Sequence, residues 1–136
     1  MGKILPFINQ KGGVGKTTSA VNVALSLAVS EVKTLIVDLD PQSNATTGLS
    51  ELIERPSKHI YDVLIRGTDI KDAISKTQFP HLDIIPSTYD LVGAEIELVS
   101  IMAREYQLDS LGGLAAAAAH SLGTPLATIS VVAKEL

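Results

Sequence analysis

The chain contains no cysteine, few aromatic residues, no surplus of positive charge and no long hydrophobic run. Each shortage excludes something. Without thiols there is no disulfide framework and no thiolate-held metal, and the expected compartment is a reducing cytoplasm. Aromatic residues make up 4% of the chain, so aliphatic side chains must build most of the core. A formal net charge of -4 gives no general electrostatic footprint for nucleic acid. No apolar stretch is long enough to cross a bilayer, so no membrane span is expected. The short N-terminal apolar run leads into glycines and does not read as a secretory signal. The length of 136 residues suits one domain, or one domain with a tail.

What is present begins at residues 9–18, which read N-Q-K-G-G-V-G-K-T-T. Apolar residues precede this stretch (Ile4, Leu5, Phe7, Ile8) and a helix-compatible run follows it. Strand, glycine-rich turn, Lys-Thr and helix form the layout of a phosphate-binding loop. Gly12, Gly13 and Gly15 let the backbone curl with its N–H groups pointing inward. A helix starting near Lys16 offers unpaired N–H groups and a positive dipole end to the same point. Lys16 adds a full charge for the β- and γ-phosphates, and the Thr17 hydroxyl suits a bridging Mg2+. Lys11, Val14 and Thr18 complete the expected ATP-binding stretch.

The rest reads as strands alternating with helices. Ile4–Ile8 is expected as a first strand, buried on both faces. Pro6 is awkward there, so the strand is either irregular or starts after it. Thr17–Ser30 reads as a helix with Ala20, Val23, Ala24, Leu27 and Ala28 on one face. Its C-cap is not obvious, because Ser30-Glu31-Val32 stands where glycine often ends such a helix. Thr34–Asp38 reads as a second buried strand, Leu82–Ile85 as a third. Ile60–Ile65 is a short helix ended by Gly67, and Asp69 an N-cap for Ile70–Ser75. Asp90–Leu108 is a long helix. His59 and His81 lack metal spacing and read as surface or capping residues.

Two runs carry a family resemblance: K-G-G-V-G-K-T-T, with Lys11 before the paired glycines and Gln10 where G-x-x-x-x-G-K-S/T has its first glycine, and I-V-D-L-D-P-Q at the end of the second strand. Both resemble the ParA/Soj/MinD ATPases, which partition chromosomes and plasmids or place the division site. P-S-T-Y-D-L-V-G-A-E-I-E-L resembles them as well and reads as scaffold rather than chemistry. The likeness runs over residues 3–109. It implies that Asp40 acts on the attacking water, that Asp38 lies near Mg2+, and that Lys11 reaches across a homodimer to the partner's phosphate. With Lys16, these make Lys11 and Asp40 the expected catalytic residues. A centromere-binding protein and nonspecific DNA are the implied partners. The resemblance also implies a further strand ending in aspartate beside the phosphate-loop strand, and nothing after Asp109 reads that way.

The tail resembles something else. Residues 112–136 contain A-H-S-L-G-T-P-L, similar to the phosphoacceptor box of RegB/PrrB-type sensor histidine kinases. His120 matches the phosphoacceptor, and Leu126–Leu136 is expected to continue a helix. Ser121 stands at the position of the acidic residue, where a hydroxyl is a far weaker base. The expected fold class is therefore α/β: an incomplete P-loop NTPase parallel sheet of three strands flanked by helices, with a C-terminal helical tail. The expected division is 1–110 for the ATPase-like domain and 111–136 for the helical segment, a chimera. The expected function is MgATP binding by a partitioning protein. A histidine phosphoacceptor fragment or an inactive chimeric fragment is the alternative.

Overall fold

The computed structural model describes residues 2–54, 56–108 and 128–134. Strands β1 (Lys3–Ile8), β2 (Lys33–Asp38), β3 (Ser75–Lys76), β4 (Leu82–Ile85) and β5 (Thr128–Lys134) form one five-stranded sheet in the order β1-β5-β2-β4-β3. The helices are α1 (Lys16–Val29), α2 (Asn44–Gly48), α3 (Ile60–Arg66) and α4 (Leu91–Leu108), with a 3-10 turn over Ile70–Ala73. β2 and β4 are parallel, and β5 runs antiparallel to both β1 and β2. It follows that β1, β2 and β4 all point one way. The segments that leave them emerge at one end of the sheet, where α/β folds assemble their ligand sites.

Alternation along the strands divides the core between the two faces. Ile36 of β2 with Leu82 and Ile84 of β4 packs against Ala20, Ala24 and Ala28 of α1. Those alanines recur every fourth residue, which gives α1 a narrow, smooth stripe that lies close to the sheet. Leu35 and Val37 of β2 with Ile85 of β4 face the other way, toward Ile60 of α3 and Leu91 and Ala94 of α4.

The C-cap of α1 finds its answer in the backbone. The Val32 N–H donates to Leu27 O and the Glu31 N–H to Ala28 O, each at 3.0 Å. This is a Schellman closure, with Glu31 at φ 62 in the left-handed position glycine usually occupies. Gly67, at φ 68, ends α3 as expected. Asp69 caps the next turn by accepting the Lys71 N–H at 2.9 Å. That turn is 3-10 and stops at Ala73, because residues 75–76 leave to pair with β4.

Three expectations are corrected. β1 is not buried on both faces: it is an edge strand, with Ile4 68% and Ile8 60% exposed. An edge position also accommodates Pro6, which has no N–H to give a ladder. The sheet is mixed and five-stranded rather than parallel and three-stranded. Finally, residues 128–134 are strand, not a continuation of a helix. Thr128, Ile129, Val131 and Val132 are β-branched and favour a pleated backbone. β1 and β2 do not pair with each other, and β5 satisfies the facing backbone rows of both. Because β5 is antiparallel, Thr128 lies opposite Ile8, so the strand beside β1 brings its first residue to the loop end of the sheet. His120 and the rest of 109–127 lie outside the described residues.

Candidate functional site

The loop after β1 takes the curl its residues permit. Gly13 and Gly15 have φ 71 and 82. A Cβ added at Gly13 would meet nothing within 4 Å, so backbone conformation rather than space demands glycine there. Gly15 is the N-cap of α1, and its carbonyl accepts the Ser19 N–H at 2.8 Å. The Asn9 carboxamide oxygen accepts the Lys11 N–H at 2.9 Å, closing the loop's entry. Lys16 turns back over the bend, its Nζ donating to Lys11 O at 3.1 Å. A cationic head is thus already held over the loop that exposes the first N–H groups of α1.

An open cleft of about 780 Å³ lies against this loop. Gln10 and residues 12–18 line one side, and Asp40, Pro41 and Gln42 after β2, with Asn44 at the start of α2, line another. Tyr89 and Val92, from the start of α4, complete the wall. Of the residues expected to act, the structure brings Gly12, Gly13, Val14, Gly15, Lys16, Thr17, Thr18 and Asp40 to this one cleft. Lys11 stands at the loop's exposed outer bend, not among the lining residues.

The two aspartates after β2 differ sharply. Asp40 faces the cleft: its Oδ1 accepts the Gln42 N–H at 2.9 Å and its Oδ2 the Asn44 amide at 3.3 Å. Asp38 is fully buried and does not line the cleft. Its Oδ1 accepts the Asp40 N–H at 3.0 Å, and its Oδ2 accepts both the Thr46 N–H at 2.9 Å and the Thr46 hydroxyl at 2.7 Å. Burial pushes the Asp38 carboxyl above its ordinary value, and the bonds from Thr46 and Asp40 oppose that push. In this arrangement Asp38 ties the strand tip to α2 rather than facing the cleft. Among the described residues no cluster of three or more His, Cys, Asp or Glu could hold a metal ion. Thr17, half-buried in the first turn of α1, is the expected metal-facing residue that lines the cleft.

His59 and His81 stay away from the cleft. His59 is the N-cap residue of α3, where the Asp62 carboxylate accepts its backbone N–H at 2.9 Å. His81 is exposed, and its carbonyl accepts the Thr34 N–H at 2.8 Å. Sequence reasoning missed Gln42, Asn44, Thr46, Ser87, Tyr89 and Val92. The available signal was position: P-S-T-Y directly follows a buried parallel strand.

The family described as "AAA domain" matches residues 2–113, most of the chain. The chain belongs to this family. Within it, the similarity is to the ParA/Soj type. The chain is 48% identical over 108 residues to the sporulation initiation inhibitor protein Soj of Bacillus subtilis, covering 79% of this chain and 43% of Soj. It is 46% identical over 117 residues to the chromosome partitioning protein ParA of Myxococcus xanthus, covering 85% of this chain and 41% of that one. A solved structure of cobyrinic acid a,c-diamide synthase from Mycobacterium smegmatis, with bound ATP analog and magnesium, superposes with a TM-score of 0.62 at 34% identity. That match covers 74% of this chain and 41% of the synthase. The chain therefore spans less than half the length of these relatives. The α/β fold is that of P-loop NTPases.

Proposed function

We propose that this chain binds MgATP as the nucleotide-binding portion of a partitioning ATPase of the ParA/Soj type. The observation that carries the reading is the convergence on one cleft of residues 12–18 and Asp40, which arrive from different strands. The loop's N–H groups and the start of α1 suit an anion, and Lys16 supplies the point charge for the β- and γ-phosphates. Thr17 and the loop would hold Mg2+, which when bound neutralises phosphate charge. Asp40, kept acceptor-ready by Gln42 and Asn44, is the candidate for orienting water. Lys11 is exposed and outside the cleft lining, which leaves it accessible to act on a second subunit's nucleotide. A homodimer, DNA and a centromere-binding protein are the partners this reading implies. No described helix is long and apolar enough to cross a membrane; a cytoplasmic location is part of this proposal.

Calorimetry with MgATP on the wild type and Lys16→Ala tests the reading. A lost charge-assisted hydrogen bond is worth about 1.5–3 kcal/mol, so affinity should fall by roughly 10–100-fold. Equal heats from the two proteins would end it. The alternative role of His120 as a phosphoacceptor draws no support from residues 128–134, which form a strand where that role calls for a helix.

A further inference from the structure

The Asp40 backbone is gripped on both sides, on one by a near neighbour and on the other by a residue far away in the chain. Its N–H donates to Asp38 Oδ1 at 3.0 Å. Its carbonyl accepts the Ser87 hydroxyl at 2.6 Å, across 47 residues, and the Ser43 N–H at 2.8 Å. The two grips are joined through Thr46. Its hydroxyl gives its one proton to Asp38 Oδ2 at 2.7 Å and accepts the Ser87 N–H at 3.0 Å, across 41 residues. The result is a closed ring running Asp40, Asp38, Thr46, Ser87 and back to Asp40. Asp38 is 0%, Ser87 3% and Asp40 9% exposed, and Thr46 is half-buried, so water cannot substitute at no cost for the partners of the three buried members.

The ring also fixes hydroxyl direction. Thr46 must donate toward Asp38, because the Ser87 N–H can only donate to it. Ser87 must then donate toward Asp40 O. Every proton in the ring has one place to go. Such a network holds a backbone segment more tightly than exposed turn bonds do. The segment it holds carries the carboxylate that faces the cleft.

We infer that Thr46 and Ser87 are positioning residues for Asp40, setting the carboxylate at the height of the phosphate loop by locking its peptide between the tips of β2 and β4. The inference rests on the reading of Asp40 as the group that orients water at a bound nucleotide. Ser87 lies just ahead of Tyr89 and Val92 on the cleft wall, so the same ring joins that wall to Asp40.

The test compares the whole chain with Thr46→Val, which keeps the shape and loses the hydroxyl, and with Thr46→Ser, which restores it. Two measurements are made: backbone amide exchange by NMR without nucleotide, and affinity for ADP with and without aluminium fluoride, a mimic of the transferring phosphoryl group. Thr46→Val should speed exchange at the Asp40 amide by roughly tenfold, with the amides of Leu82–Ile85 unchanged. It should lower affinity for ADP with aluminium fluoride by roughly tenfold while ADP alone binds within about twofold of wild type. Thr46→Ser should return both. Unchanged Asp40 exchange, uniform acceleration across β2 and β4, or equal affinity for the mimic would each overturn the inference. A wild type that binds no ADP would overturn the nucleotide reading instead. The exchange data alone would then decide whether Thr46 holds Asp40.

Discussion

The two walls of the cleft are built on opposite principles. The phosphate loop is exposed, springs from an edge strand and is shaped by its own residue types. Gly13 and Gly15 supply left-handed turns, and the hydrogen bonds of Lys11 and Lys16 given above stay within the eight residues from Asn9 to Lys16. The Asp38–Asp40 tip is buried, springs from an interior strand and is shaped by side chains up to 47 residues away. On the proposed reading the difference follows from what each wall would do. Wrapping a phosphate needs backbone N–H groups, which any suitably curled glycine-rich segment provides. Holding one carboxylate at a set height needs fixed partners, and fixed partners come from packing.

The comparison breaks most readily at Asp38. Asp38→Ala would leave the half-buried Thr46 hydroxyl, the Thr46 N–H and the Asp40 N–H without their acceptor. At about 1–3 kcal/mol for each stranded group, unfolding stability in urea should fall by about 3 kcal/mol or more. A fall under about 1 kcal/mol would mean that the tip is not held as described. The loop should respond less. Gly13→Ala forces an L-residue to a positive φ and should cost about 1–2 kcal/mol, read in the same denaturation experiment.

Away from the cleft the same reasoning gives a gain. Glu31 bears the left-handed strain that closes α1, so Glu31→Gly should stabilise the fold by about 0.5–1 kcal/mol, with a higher thermal midpoint as the readout. Smallest of all is Lys76→Ala. Its 2.7 Å ion pair with Asp83 is solvent-exposed on the lysine side, and its loss should shift stability by no more than about 0.5 kcal/mol.

Acid titration sharpens the contrast between buried carboxylates. Asp38 has its pKa raised above 3.8 by burial. Its ionisation therefore costs stability: the wild-type advantage over Asp38→Asn should shrink as pH rises from 3.8 through the raised value. Asp62 has its pKa lowered below 3.8, first by the His59 N–H and also by Arg66, whose guanidinium lies 2.7 Å away. Its contribution has the opposite sign: present above 3.8, it should be lost as pH falls through the lowered value. Denaturant midpoints for the two Asn variants across that range would show parallel trends if either assignment were wrong.

The chain alone determined whatever is local. The phosphate loop, the alanine stripe of α1, the glycine end of α3, the Asp69 cap and the strands β2 and β4 follow from residue type and period, because glycine φ, capping hydrogen bonds and apolar spacing act within a few residues. Tertiary structure decided the rest. It made β1 an edge, drew β3 out of an expected helix, and set residues 128–134 as a strand between β1 and β2, because backbone groups on separated strands must find partners wherever the chain can bring them. It also parted two aspartates that stand two residues apart: Asp38 is buried and bonded to Thr46 as a strut, while Asp40, whose carbonyl accepts the Ser87 hydroxyl, faces the cleft.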